Sequence, residues 1–251
     1  MNIFMKWFHR LGSPPWFYNI SGKLIPWFAV TTILTLVVGM YGGLILAPAD
    51  YQQGDSFRII YVHVPAAWMS LFIYIVMAVA GAISLVWRMK MADVMLISSA
   101  SVGASFTFIA LVTGSLWGKP MWGTYWTWDA RLTSELLLLF LYFGIIALYN
   151  AVEDRQTASR AVAVLTLVGV VNIPIIHYSV EWWNTLHQGT TVARMDGPAM
   201  DSSMLWPLLT MAVCFKLYYI WVLLVKARAE LLSREINNGW VRELVGGKAN
   251  G

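Results

Sequence analysis

Six stretches of this chain are each apolar over about the length of a membrane-spanning helix, and that pattern leaves few folds open. They cover roughly residues 24–46, 66–87, 93–116, 132–150, 161–178 and 204–225. A bilayer's hydrocarbon core offers no water to an unpaired backbone amide, so each run is expected to close its own hydrogen bonds as a helix. The expected fold is all-α: one polytopic membrane domain over residues 1–251 with six transmembrane helices. Only 12% of the residues are charged and 59% are hydrophobic, so the connections are short and no separate soluble domain fits. The net charge of +4 bears on which side the loops face; no basic-aromatic pattern for nucleic acid is present.

The first run is preceded by segment 1–23 with Lys6, Arg10 and Lys23, and it is too long for a signal-peptide core. Pro65 suits a first helical turn, which puts His63 at or just before the start of the second helix, near the surface; a helix starting near Phe57 is the competing reading. The third run is rich in small residues from Ser98 to Ala104 that permit close helix packing. Pro174 falls near the end of the fifth run, and a polar tail fills 226–251, with Gly246–Gly251 read as a frayed end. Lys216 lies inside the sixth run, where it must snorkel or face a partner. Lys and Arg concentrate on the side shared by both termini, including Arg88, Lys90, Arg155, Arg160 and Arg228, against Arg58, Lys119, Arg131 and Arg194 opposite. The positive-inside rule puts the termini in the cytoplasm.

The connection after the third run, Trp117–Arg131, reads WGKPMWGTYWTWDAR. An interfacial belt explains one or two tryptophans. Trp117, Trp122, Trp126 and Trp128, interleaved with Gly118, Pro120 and Gly123 and closed by Asp129, suit a shaped aromatic platform for a flat ligand.

The other two connections on that side add His63 with Arg58, and Trp182, Trp183 and His187. Two imidazoles from separate loops beside aromatic rings are an ordinary way to hold a haem iron, whereas a zinc site calls for three or four protein ligands. His177, one turn past Pro174, is read as a packing residue, and His9 lies on the far side. Arg58 and Arg131 match the two propionates of a porphyrin or, equally, lipid headgroups and ion pairs. Asp129 pairs with Arg131 or orients an indole, and Glu135 is a candidate intramembrane acid. The single cysteine, Cys214, excludes a disulfide framework and covalent c-type haem attachment.

These motifs, with YVHVPAAW at Tyr61–Trp68 and VEWWNTLHQG at Val180–Gly189, make the chain resemble the haem-handling family marked by a tryptophan-rich WWD signature, in its cytochrome c maturation branch. The resemblance spans nearly the whole chain. It implies a bacterial inner membrane, a periplasmic signature loop and axial ligation of haem b, bound in transit, by His63 and His187. It further implies delivery to a periplasmic haem chaperone, alongside an ABC-type ATPase, membrane subunits and a small helper subunit. No nucleotide motif and no nucleophile-base pair occur, so ATP hydrolysis belongs to a partner and no enzymatic activity is expected. The alternatives are a b-type haem redox subunit, which would place histidines inside the spans, and a small-molecule transporter, which would show paired broken helices.

Overall fold

The computed structural model describes residues 12–187, 189, 192 and 197–246. Lys6, His9, Arg10, Arg194, Asp196, Lys248 and the glycine-rich end past 246 lie outside the described residues.

Every apolar run is helical: α1 (Pro14–Tyr41), α2 (Ile60–Trp87), α3 (Lys90–Trp122), α4 (Ala130–Ala151), α5 (Arg155–Gly169), α6 (Asn172–Trp182) and α7 (Ser202–Arg234), followed by a short α8 (Gly239–Gly246). Among the described residues six spans are long and apolar enough to cross a membrane, α5 and α6 together forming the fifth, so the start of α1 and the end of α7 fall on one side of the bundle. Among the described residues there is no strand beyond one isolated bridge, Asp50 with Gly54.

The helices run past the apolar runs. α1 starts at Pro14, ten residues earlier than expected, because Pro14 and Pro15 stand in a first turn that needs no amide donor. A 3-10 turn, Asp55–Ile59, feeds directly into α2, so the earlier start is the one adopted; His63 is 9% exposed inside the helix and not at the surface. α3 continues to Trp122, which makes Trp117–Trp122 helical and shortens the tryptophan connection to 123–129. The fifth run breaks at Val170 and Val171, and Pro174 sits in the opening turn of α6. α7 reaches Arg234, absorbing the first third of the expected polar tail.

α2, α3, α4 and α5 pack around a core that includes Met69, Ile73, Tyr74, Met77, Leu138, Tyr142 and Ile145. Lipid is as apolar as these side chains, so dispersion contacts and interhelical hydrogen bonds hold the bundle. Gly103 accommodates the Tyr142 ring, and a Cβ there would collide with it. The Tyr142 hydroxyl then donates to the Ser70 carbonyl at 2.8 Å, and Ser99 pairs with Tyr219 at 2.9 Å. Such a bond contributes about 0.6 kcal/mol on average in a membrane protein, so shape does most of the holding.

α1 packs along α7, where Gly39 meets Met211 and Gly42 meets the Trp206 ring. Its other face exposes Trp27, Ile33, Leu34 and Val37, as a lipid-facing helix should. At the end of the bundle that holds the termini, Arg234 joins α7 to α4 through Tyr149 at 2.8 Å and to α5 through Ser159 at 3.2 Å, while Glu230, one turn back on α7, accepts from it at 2.6 Å.

A two-histidine cleft at the end opposite the termini

A cleft opens between α2, α3 and α4 at the end of the bundle away from the termini, with about 860 Å³ of empty space, part of it open to the outside. α2 contributes His63, Ala67 and Leu71, α3 contributes Ala110, Gly114, Trp117 and Trp122, and α4 contributes Arg131 and Glu135. His187, from the segment after α6, completes it.

The start of α2 is pinned before it delivers His63. Arg58 donates to the carbonyls of Gly43 at 2.8 Å and Ala47 at 3.0 Å and to Asp55 at 2.9 Å, satisfying the frayed end of α1, where the backbone widens into a π-turn over Gly42–Leu46. Arg58 therefore does not line the cleft. Five residues on, His63 Nδ1 lies 3.1 Å from the Ala110 carbonyl and 3.0 Å from Thr113 Oγ1. A carbonyl only accepts, so in the neutral ring Nδ1 carries the proton and Nε2 keeps its lone pair. That is the arrangement by which proteins orient a metal-binding histidine. Gly114 makes the approach possible, since a Cβ there would stand 2.9 Å from His63 Cε1.

His187 sits in a turn where its backbone N–H donates to Thr185 Oγ1 at 2.8 Å. Its ring centre is 6.4 Å from that of His63, with the planes 36° apart. An imidazole nitrogen binds a first-row metal at about 2.0 Å, so two imidazoles in line across one ion have ring centres about 6 Å apart. Among the described residues no three His, Cys, Asp or Glu side chains converge on a common point, so the donor set here is a pair of imidazoles.

Each histidine has a tryptophan beside it. Trp117 meets His63 edge to face at 5.6 Å and is fixed by donating Nε1–H to Gln53 at 2.9 Å; Trp122 lies 6.3 Å from His187. Trp126 and Trp128 fall past the helix end and pack on each other at 5.5 Å, away from the cleft, with Trp128 77% exposed. Gly123 ends α3 with φ +77°, a conformation natural to glycine. At Gly118 a Cβ would come 3.0 Å from the Trp122 ring and 3.2 Å from the Thr124 carbonyl, so glycine lets the connection fold back.

Asp129 caps α4 by accepting from the Leu132 amide at 2.8 Å. Arg131, one residue into α4, faces the cleft and reaches the Ile176 carbonyl only at 3.4 Å. Glu135 is one turn deeper, buried, and accepts from Ser70 Oγ at 2.7 Å. His177 lies outside the cleft against Tyr178. Sequence reasoning missed Ala110, Thr113, Gly114 and Gln53; Gly114, three residues before Trp117 in an apolar run, was the visible signal.

Fold and site together define a class: polytopic all-α membrane proteins with an aromatic-walled, two-histidine cleft at one end of the bundle. The family described as "CcmC: Heme exporter protein C" matches residues 7–242, and the chain belongs to that family. Curated relatives named Heme exporter protein C are 55% identical in Escherichia coli K12 over 96% of this chain and 97% of theirs, 51% in Haemophilus influenzae over 95% and 97%, and 50% in Bradyrhizobium diazoefficiens over 91% and 86%.

Proposed function

We propose that this chain is the haem-handling membrane subunit of a cytochrome c maturation system, holding haem b in transit between His63 and His187. The observation that carries the proposal is the 6.4 Å separation of those two rings inside a cleft walled by Trp117 and Trp122. Haem supplies the iron centre and a vinyl edge; the protein's work is to bind and orient it. The Ala110 carbonyl fixes the His63 tautomer, the two indoles flank the imidazoles, and Arg131 offers a guanidinium to a propionate carboxylate. Trp128, exposed and backed by the half-buried Trp126 ring at 5.5 Å, is an outward aromatic surface suited to meeting a periplasmic haem chaperone.

The protein's contribution to transfer is positioning, and ATP hydrolysis is assigned to an ABC-type partner assembly with its membrane and small helper subunits. Basic residues at the end with the termini, among them Arg88, Lys90, Arg155, Arg160, Arg228 and Arg234, support cytoplasmic termini and a periplasmic cleft in a bacterial inner membrane.

The test is the absorption spectrum of the purified protein. A low-spin bis-imidazole haem signature, lost on changing either histidine, is the expected result; a haem-free protein that also fails to take up added haemin overturns it.

A further inference from the structure

A second groove lies on the flank of the bundle, between α2, α6 and α7, with about 1050 Å³ of empty space including open surroundings. Trp68, Phe72 and Tyr178 supply aromatic faces along it, and Leu71 borders both this groove and the two-histidine cleft. Lys216 is the charge in this groove. It stands 14 residues past Ser202 on a helix of 33, so it is about 21 Å along the helix from that end at about 1.5 Å per residue. The side chain is exposed on the flank, with Nζ 5.7 Å from the Phe72 ring centre, and among the described residues no carboxylate pairs with it.

An unpaired ammonium in the middle of a span is costly and calls for an anionic partner. A phospholipid headgroup sits about 15 Å from the bilayer midplane, beyond the reach of a lysine at this depth. A flat apolar molecule that dissolves in the hydrocarbon and carries its carboxylates with it meets both requirements, the aromatic walls and the mid-span cation.

We propose that this groove is the lateral way into the cleft for haem dissolved in the bilayer, with Lys216 receiving a propionate and Trp68, Phe72 and Tyr178 flanking the macrocycle before it passes Leu71. The proposal rests on the haem-binding reading above and adds the route. Lys216 acts on the rate of loading and leaves the bound state unchanged, because it lies outside the cleft that holds the product.

The test uses the full chain in lipid nanodiscs, loaded with haemin already equilibrated into the lipid, and follows the growth of the bis-imidazole absorption band for wild type, Lys216→Gln, Lys216→Glu and Lys216→Arg. Losing one charge-assisted contact should slow loading about tenfold in the glutamine variant. The glutamate variant should be slower still, and arginine close to wild type. Final occupancy and spectrum should match in all four. Equal rates in proteins that all bind haem overturn the route while the proposed function stands. Reduced final occupancy at unchanged rate overturns it too, by placing Lys216 in the holding site. A phospholipid retained by wild type and lost from Lys216→Glu, with unchanged loading, makes the groove a lipid site and overturns the proposal. Failure of wild type to bind haem from lipid or water overturns the haem reading itself, and the route with it.

Discussion

The imidazole of His63 stands 6.4 Å from the imidazole of His187, centre to centre, although 124 positions separate them and they come from a transmembrane helix and a connecting segment. His63 sits within α2 with its ring against Ala110 and Thr113 of α3, whereas His187 stands in a turn bonded to Thr185. The two should respond differently to perturbation.

Replacing either histidine with alanine should abolish the bis-imidazole haem spectrum. Added imidazole should restore it better at position 187 than at 63, where α3 crowds the ring. His177→Ala should leave the spectrum unchanged, since that residue lies outside the cleft. Haem content per protein by absorbance decides the matter, and a loss at 177 equal to that at 63 would remove the assignment.

Gly114→Ala adds a Cβ 2.9 Å from His63 Cε1, and the ring has to move by a few tenths of an ångström to make room. That weakens the bond from Nδ1 to the Ala110 carbonyl, and disturbing such an outer partner typically costs about 10–100-fold in metal affinity. Haem affinity should fall by that order while the helical circular dichroism stays that of wild type. An unchanged affinity would mean that the contact with α3 does not position the ring.

The four tryptophans should divide into two pairs. Trp117→Ala and Trp122→Ala remove cleft walls, each with a ring contact worth about 0.5–1.5 kcal/mol beyond its area, and should lower bound haem about three- to tenfold. Trp126→Ala and Trp128→Ala should keep haem content and lower the covalent haem adduct of the chaperone. Haem spectra of the membrane protein and haem staining of the chaperone, taken from the same cells, separate the two effects; a parallel fall in both measurements for all four variants contradicts the division.

Arg58→Ala should act on stability and not on haem. The change strips the Gly43 and Ala47 carbonyls of their donor, and bonds to a charged group contribute about 1.5–3 kcal/mol. The thermal midpoint in detergent should drop by several degrees while the spectrum of the folded fraction is retained. A selective loss of haem at unchanged midpoint would return Arg58 to a propionate role.

Much of the fold was readable from hydropathy alone because a bilayer imposes one length scale and one way to satisfy the backbone. The six apolar runs, the small-residue face at Ser98–Ala104 and the return of both ends to one side followed from that constraint. Helix ends did not, because an apolar run marks where lipid is and a helix continues for as long as its backbone pairs. α1 thus begins at Pro14, α3 extends to Trp122, and His63 lies inside α2.

The chain by itself supplied the candidates for the site: few histidines, a tryptophan-rich connection, and Arg58 and Arg131. Only the tertiary structure decided which of them meet. The angular phase of α3 and its stop at Gly123 turn Trp117 and Trp122 toward the cleft and carry Trp126 and Trp128 past it. The close approach of α2 to α3 at Gly114 sets His63 against the Ala110 carbonyl, and the end of α1 occupies Arg58 while Arg131 is left facing the cleft. These are matters of packing between helices distant in sequence, and close packing depends on the shapes of neighbours that no local pattern of residues encodes.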